Sequence, residues 1–454
     1  MRRIVRLSVF LFATALAAGG ATSVAAQQTT QTPPRPSKGL FADKKSSTAD
    51  RQTLNLNVTF TEAYDDDVTA EGGPSIGANA AQLSGYYSML VADADYGWRG
   101  RRAQIGLSGS SALRYYQQLK TVKAASSSVG AGFTANLSKR TTWSFNQTAA
   151  YSPSYFYGLF PSLTPTVAPG DLPATAAPNY TFNSQESYSY GTSTTLSTGV
   201  GRRGALSVTA DYGSTNFVKQ ITGRLDTRSY GVRTFFARNL TRNMAVRMGY
   251  HFRRSDIGVT GGGVSTEHGV DVGVDTVRPL SATRKATFSF NVGSSALEVP
   301  SALISGRPED REVNRLYRVS ADVSAGYQFR RTWQARATYR RGMDYVAVLT
   351  GPVFTDATSA SVEGLFTRRM DFNFSVGYSN GKSALFNSSA YSTYTGDVRL
   401  RYALTRNWAL FSEYLYYYYD FSGVRQLLRP DIASGLTRNG VRAGITLWVP
   451  ALGR

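Results

Sequence analysis

The 454-residue chain has no cysteine, two histidines and five tryptophans. Without cysteine there is no disulfide framework and no thiolate for metal binding or nucleophilic attack. The two histidines, His251 and His268, stand outside any HExxH-type spacing, so no metal, cofactor or enzymatic activity is expected. Long apolar runs are also missing. The apolar run Val9–Ala18, with Thr14 within it, is well short of the ~18 residues of a membrane helix. Charged residues make up only 18% of the chain, and acids are the scarcer sign, 30 against 50 Lys+Arg.

What is present begins with Arg2, Arg3 and Arg6, the apolar run after them, and the small residues Val24-Ala25-Ala26 before Gln27. This order predicts a secretory leader over 1–26. Residues 27–51 form a polar Pro/Ser/Thr/Lys stretch with no apolar period, expected to be a disordered periplasmic linker. The remainder, 52–454, is patterned throughout.

The pattern is a recurring basic turn, clearest in Leu404-Thr405-Arg406-Asn407-Trp408. Copies follow the same grammar at Leu137–Trp143, Phe329–Trp333 and Leu240–Met244, with looser ones at Trp98–Arg102, Gly201–Gly204, Ser281–Lys285 and Thr367–Met370. Eight turns recur at a spacing of roughly 40 residues, which marks a repeat architecture. Between turns the apolar residues alternate. Leu54, Leu56, Val58 and Phe60 are separated by Asn55, Asn57 and Thr59, and Tyr317, Val319, Ala321, Val323, Ala325 and Tyr327 by polar residues and glycine. A period of two over runs of this length predicts strands with one apolar and one polar face.

About eighteen such runs, joined alternately by short turns and longer loops, define an all-β fold: a transmembrane antiparallel up-and-down β-barrel in the bacterial outer membrane. Short turns then face the periplasm and longer loops the exterior. The longer connections are expected at Asp65–Gly85, Ser152–Gln185, Ala296–Glu312, Val346–Ser359 and Phe421–Ser434. The proline-rich Ser152–Gln185 segment is read either as a constriction folded into the barrel or as an exterior cap. Trp98, Trp143, Trp333, Trp408 and Trp448 lie at the turn ends, forming an expected periplasmic girdle, and tyrosines such as Tyr86, Tyr87, Tyr115, Tyr151, Tyr188, Tyr190 and the Tyr416–Tyr419 run crowd the loop ends. Amphipathic rings gather at membrane interfaces because one edge is hydrated while the body sits in hydrocarbon.

Alternation also selects the residues that would line the interior. The basic set is Arg233, Arg247, Arg253, Arg318, Arg336, Arg340, Arg399, Arg401 and Arg442. The acidic set is Asp93, Asp95, Asp211, Asp271, Asp275, Asp322, Glu363, Asp397 and Glu413. Acids concentrate on earlier strands and arginines on later ones, so two readings stand. In one, opposite walls of opposite charge orient dipolar or carbohydrate solutes; in the other, the charges pair with one another and stabilise a polar interior. The surplus positive charge gathers in the short turns, where it would meet anionic phospholipid headgroups of the outer-membrane lipid. Nucleic acid is not an expected partner.

The final strand, Arg442-x-Gly444-x-x-Leu447-x-Val449, resembles the signal read by the outer-membrane assembly machinery, though Pro450–Arg454 follow where that signal ends. The body from Thr53 to Val449, with its chain of basic turns followed by Trp or Phe, resembles the β-barrel porins encoded with bacterial exopolysaccharide clusters. The resemblance implies a porin-like conduit for polysaccharide export that works with separate periplasmic polysaccharide-export proteins. The composition itself also accommodates a general diffusion porin for small hydrophilic solutes, or a structural or adhesive barrel.

Overall fold

The computed structural model describes residues 51–66, 84–117, 123–152, 187–217, 226–257, 264–281, 283–300, 313–329, 332–345, 352–383, 390–424 and 435–453. The predicted leader (1–26), nearly all of the linker (27–51) and the Ser152–Gln185 loop beyond its first residue lie outside them.

The described chain is a closed barrel of eighteen antiparallel strands. They are β1 (Gln52–Asp65), β2 (Gly85–Arg99), β3 (Ala103–Tyr116), β4 (Lys123–Asn136), β5 (Thr141–Ser152), β6 (Ser187–Val200), β7 (Gly204–Phe217), β8 (Thr227–Asn239) and β9 (Met244–Ile257). The second half comprises β10 (Val264–Ser281), β11 (Arg284–Pro300), β12 (Val313–Gln328), β13 (Gln334–Tyr345), β14 (Pro352–Thr367), β15 (Met370–Ser383), β16 (Ala390–Ala403), β17 (Trp408–Asp420) and β18 (Gly435–Gly453). Each strand pairs with its sequence neighbours, and β1 closes on β18 from Thr53↔Gly453 to Asp65↔Gly440. Closure removes both sheet edges that an open sheet would present.

The short turns explain the repeat. In five of them a hydroxyl two or three residues upstream accepts a turn N–H: Ser138 from Arg140 (3.1 Å), Thr241 from Asn243 (3.2 Å), Ser281 from Thr283 (3.3 Å), Thr367 from Arg369 (3.2 Å) and Thr405 from Asn407 (3.2 Å). Ser and Thr hold turns in this way by substituting a side-chain acceptor for a backbone one. The backbone closes beneath it, Leu404 N–H to Trp408 C=O (2.9 Å) and Leu240 N–H to Met244 C=O (3.0 Å). Among the turns without such a hydroxyl, Gly201-Arg202-Arg203 places Gly201 at φ 69°, where a side chain would be strained.

Alternation decides the two faces. On β1, Leu56, Val58, Phe60 and Tyr64 are exposed, whereas Asn57, Thr59, Thr61 and Asp65 are buried. The exposed face is the outside of the barrel, and it is apolar on nearly every strand. Rings on this face pair across strands at both ends. Tyr64–Tyr86 (5.2 Å), Tyr151–Tyr188 (5.1 Å), Tyr212–Tyr230 (5.1 Å) and Tyr378–Tyr394 (4.9 Å) lie toward the loops. Phe133–Trp143 (5.4 Å), Trp333–Phe366 (5.1 Å) and Phe366–Phe372 (5.5 Å) lie toward the turns.

Three placements differ from the sequence reading. Trp448 is on the inner face, packed with Leu365 against buried Ala403 and Ala409; Trp98, Trp143, Trp333 and Trp408 remain on the outside. The tyrosine run splits, because a strand alternates: Tyr417 and Tyr419 point inward and are buried, with Tyr416 outside. Tyr87 is likewise inward. Finally, strand replaces part of two expected loops, since β11 runs on to Pro300 and β14 starts at Pro352. There the register continues through Asp356↔Arg341, an outward ion pair of 3.4 Å that an apolar period does not register.

Candidate functional site: the barrel lumen

All eighteen charged candidates fall on the inner face, and register determines what each one meets. The interior divides into three sectors.

The first is packed and includes β15–β18, β1 and β2. Arg438 donates from Nε to both carboxylate oxygens of Asp65 (2.8 and 2.8 Å), and the two side chains are 0% and 2% exposed. Arg401 Nε donates to Asp371 (3.0 Å). Arg442 lies 3.9 Å from Glu413 and donates from Nε to the Tyr87 hydroxyl (2.8 Å). Ser375 donates to Asp397, and Arg399 is in register with Glu413. Apolar side chains fill the space between, with Ala63, Tyr87, Met89, Val91 and Phe411 forming one buried cluster. Near the loop end the Phe421 ring lies tilted between those of Tyr391 (5.3 Å) and Tyr419 (5.0 Å). Asp93 is also buried on this side, and Arg114 of β3 reaches across it with its guanidinium 5.6 Å from the Tyr87 ring centre.

The second sector, β8–β13, carries charge that remains accessible. His251 stands between Glu267 and Asp271, with each ring nitrogen 3.7 Å from a carboxylate oxygen. Arg247 reaches Asp275 (3.4 Å) and donates to Ser289 (2.8 Å). The Arg247 and Asp275 side chains are 30% and 33% exposed, against almost none in the Arg438–Asp65 pair. Arg233 is in register with His251, and Asp322 with Arg340. Arg253, Arg318 and Arg336 share this inner face, and Gln334 of β13 donates to Glu363 of β14.

Glycines shape this sector. Gly269 faces His251, Gly249 faces Asp271, Gly231 faces Asp211 and Gly273 faces Arg247 on adjacent strands. A methyl group at 269 would collide with the imidazole, and one at 231 with the Asp211 carboxylate. The charged groups therefore lie flat across the neighbouring strand rather than standing into the bore, which only a residue without Cβ permits.

The third sector, β4–β6, has no inner-face charge among the described side chains. Its inner faces carry Ser, Thr, Asn, Gly and Ala alone from Ser126 to Asn136, Thr142 to Ala150 and Ser189 to Gly199. The hydroxyls bond one another across strands, as in Thr195–Thr209 (3.0 Å) and Ser197–Ser207 (2.9 Å) where the sector meets β7. Asp95 and Asp211 flank it on β2 and β7.

The signs are thus paired strand to strand rather than separated onto opposing walls. Sequence reading missed Asp65, Arg114, Glu267, Asp371 and Arg438. Asp65, Arg114 and Asp371 alternate with outward apolar or aromatic neighbours such as Tyr64, Leu113 and Phe372, whereas Arg438 lies between Thr437 and Asn439; most of the five lie near strand ends where the apolar period fades. Among the described residues no group of His, Asp or Glu converges to hold a metal ion.

The fold therefore defines a class: a closed eighteen-stranded antiparallel barrel, apolar outside and polar within. No family model matches the chain, and no curated protein does. Solved structures of similar shape include Pseudomonas aeruginosa OpdQ, at 9% identity over 88% of this chain and 98% of that one, TM-score 0.45. Acinetobacter baumannii OccAB4 is 9% identical over 89% and 99%, TM-score 0.44. The FrpB iron transporter of Neisseria meningitidis is 9% identical over 91% and 83%, TM-score 0.44. These likenesses concern shape alone.

Proposed function

We propose that the chain is a bacterial outer-membrane channel, and that its cargo is an exported polysaccharide. The apolar exterior with rings at both ends supports membrane insertion, since a soluble barrel would not expose Leu, Val and Phe on nearly every strand. The observation that carries the cargo is the neutral hydroxyl sector on β4–β6. Hydroxyls both donate and accept, so they exchange hydrogen bonds with sugar hydroxyls and water without holding a fixed charge against a moving chain. The packed sector presents little charge to a passing chain, because Arg401, Arg438 and Arg442 lie against carboxylates within the wall. The basic turns would hold the periplasmic rim against anionic headgroups, where separate export proteins would dock.

The accessible charges of β8–β13 favour a second reading, a diffusion porin for small polar solutes. Purified protein in planar bilayers separates the two. The export reading expects conductance steps that neutral dextran chains interrupt. Steps that short sugars and long dextrans affect alike would support the diffusion porin, and the absence of steps would rule out both.

A further inference from the structure

One seam of the barrel differs from the other seventeen. β12 pairs with β11 along its whole length, from Lys285↔Gln328 to Pro300↔Val313. With β13 it pairs only from Gln328↔Gln334 to Ala321↔Arg341, the shortest ladder in the barrel. Residues 313–320 therefore have no strand beside them on that side among the described residues. β13 continues to Tyr345 paired with β14 alone.

The freed hairpin end passes inside the barrel wall. Gln334, Arg336 and Arg340 face the lumen, so alternation puts Met343 on the outer face of its strand, as it does Phe354 opposite. Yet Met343 is buried, and with Phe354 it packs against Leu297 and Leu316, which are inner-face residues of β11 and β12. An outer face resting on an inner face is a lapped joint. The Phe354 ring lies under both cations at the joint, 6.0 Å from the Arg318 guanidinium and 5.0 Å from that of Arg341. Outside, Tyr317 is 67% exposed, the highest value of any large apolar side chain on the barrel, and Val319 is 58% exposed.

A strand edge left without a ladder in hydrocarbon is costly, because its N–H and C=O groups have no water to turn to. The joint lies at the tyrosine-rich end, and behind it stands the apolar patch of Leu297 and Leu316. Two arginines mark its mouth. We propose that the β12–β13 seam is a lateral opening at the outer leaflet, into which an anionic lipid inserts an acyl chain while its headgroup meets Arg318 and Arg341. This rests on the membrane placement proposed above. The tail would take the place of the lapped hairpin against Leu297 and Leu316, linking lumen and leaflet without passage through the barrel mouth.

The chain has no cysteine, so single thiols label cleanly. Full-length protein would carry an environment-sensitive fluorophore at Leu316→Cys or, separately, at Met343→Cys. Val270→Cys on the exterior and Ser193→Cys in the hydroxyl sector serve as references. Each is reconstituted into phosphatidylcholine vesicles containing acyl-chain spin-labelled phosphatidylglycerol or phosphatidylcholine. The expected result is quenching at 316 and 343 at least half as strong as at 270, none at 193, and a several-fold loss in Arg318→Gln/Arg341→Gln or with the zwitterionic quencher. Seam labels quenched no more than Ser193→Cys would overturn the opening. Equal quenching by both lipids that is indifferent to the arginines would overturn the anionic headgroup. An unquenched Val270→Cys would instead remove the membrane placement itself.

Discussion

The Arg438–Asp65 pair and the Arg247–Asp275 pair use the same chemistry on opposite sides of one barrel, yet they do different jobs. The first is sealed, with two charge-assisted bonds of 2.8 Å, between strands 373 residues apart in sequence. The second is open at 3.4 Å and about one-third exposed. A sealed pair locks the β1–β18 closure and presents nothing to a solute. An open pair contributes little to stability but sets the field a solute meets. One interior thus has a sealed side and an open side, and burial is what tells them apart.

Removing one partner from each side should break that comparison most sharply. Arg438→Ala takes the guanidinium from the buried Asp65 carboxylate and should cost about 3–5 kcal/mol, read as a lower urea midpoint in detergent. Arg247→Ala should cost no more than ~1 kcal/mol, while its ion selectivity shifts toward cations in a bilayer reversal-potential measurement. If the two stability losses are equal, the division into halves fails.

The glycine positions give the next effect. Gly269→Leu forces the His251 ring off the wall, and overpacking of this kind costs about 1–3 kcal/mol. The expected signature is a smaller single-channel conductance together with reduced stability. The same change at Gly109, where a Cβ would meet nothing within 4 Å, should leave conductance unaltered.

Most of the architecture was legible in the sequence because two strong signals coincide. A period of two marked each strand, and the basic turn marked every second connection, so about eighteen strands and their order followed. Trp448 was legible too: Leu447 and Val449 face out, so the residue between them must face in, and the turn-end tryptophan pattern pulled the other way. What could not be read is register. Whether Asp65 meets Arg438, or Gly269 faces His251, depends on strand offsets that no local pattern carries. The lapped β12–β13 seam is invisible for the same reason, since its strands look regular residue by residue.

Smaller effects sharpen the account at its edges. Thr405→Ala removes the hydroxyl that accepts the Asn407 and Trp408 N–H groups (3.2 and 3.1 Å), at a cost of about 0.5–1.5 kcal/mol. Ser197→Ala in the hydroxyl sector should change stability by under ~0.5 kcal/mol, while weakening block by dextran.

The central claim, one closed half and one open half around a conducting lumen, is tested most directly by thiol accessibility in planar bilayers. Single cysteines at Asp275 and Ser193 are compared with cysteines at Thr61 and Ser379, all inner-face positions, during exposure to a charged water-soluble thiosulfonate. The account predicts rapid current changes for the first two and none for the buried pair. Equal modification at all four positions would contradict it.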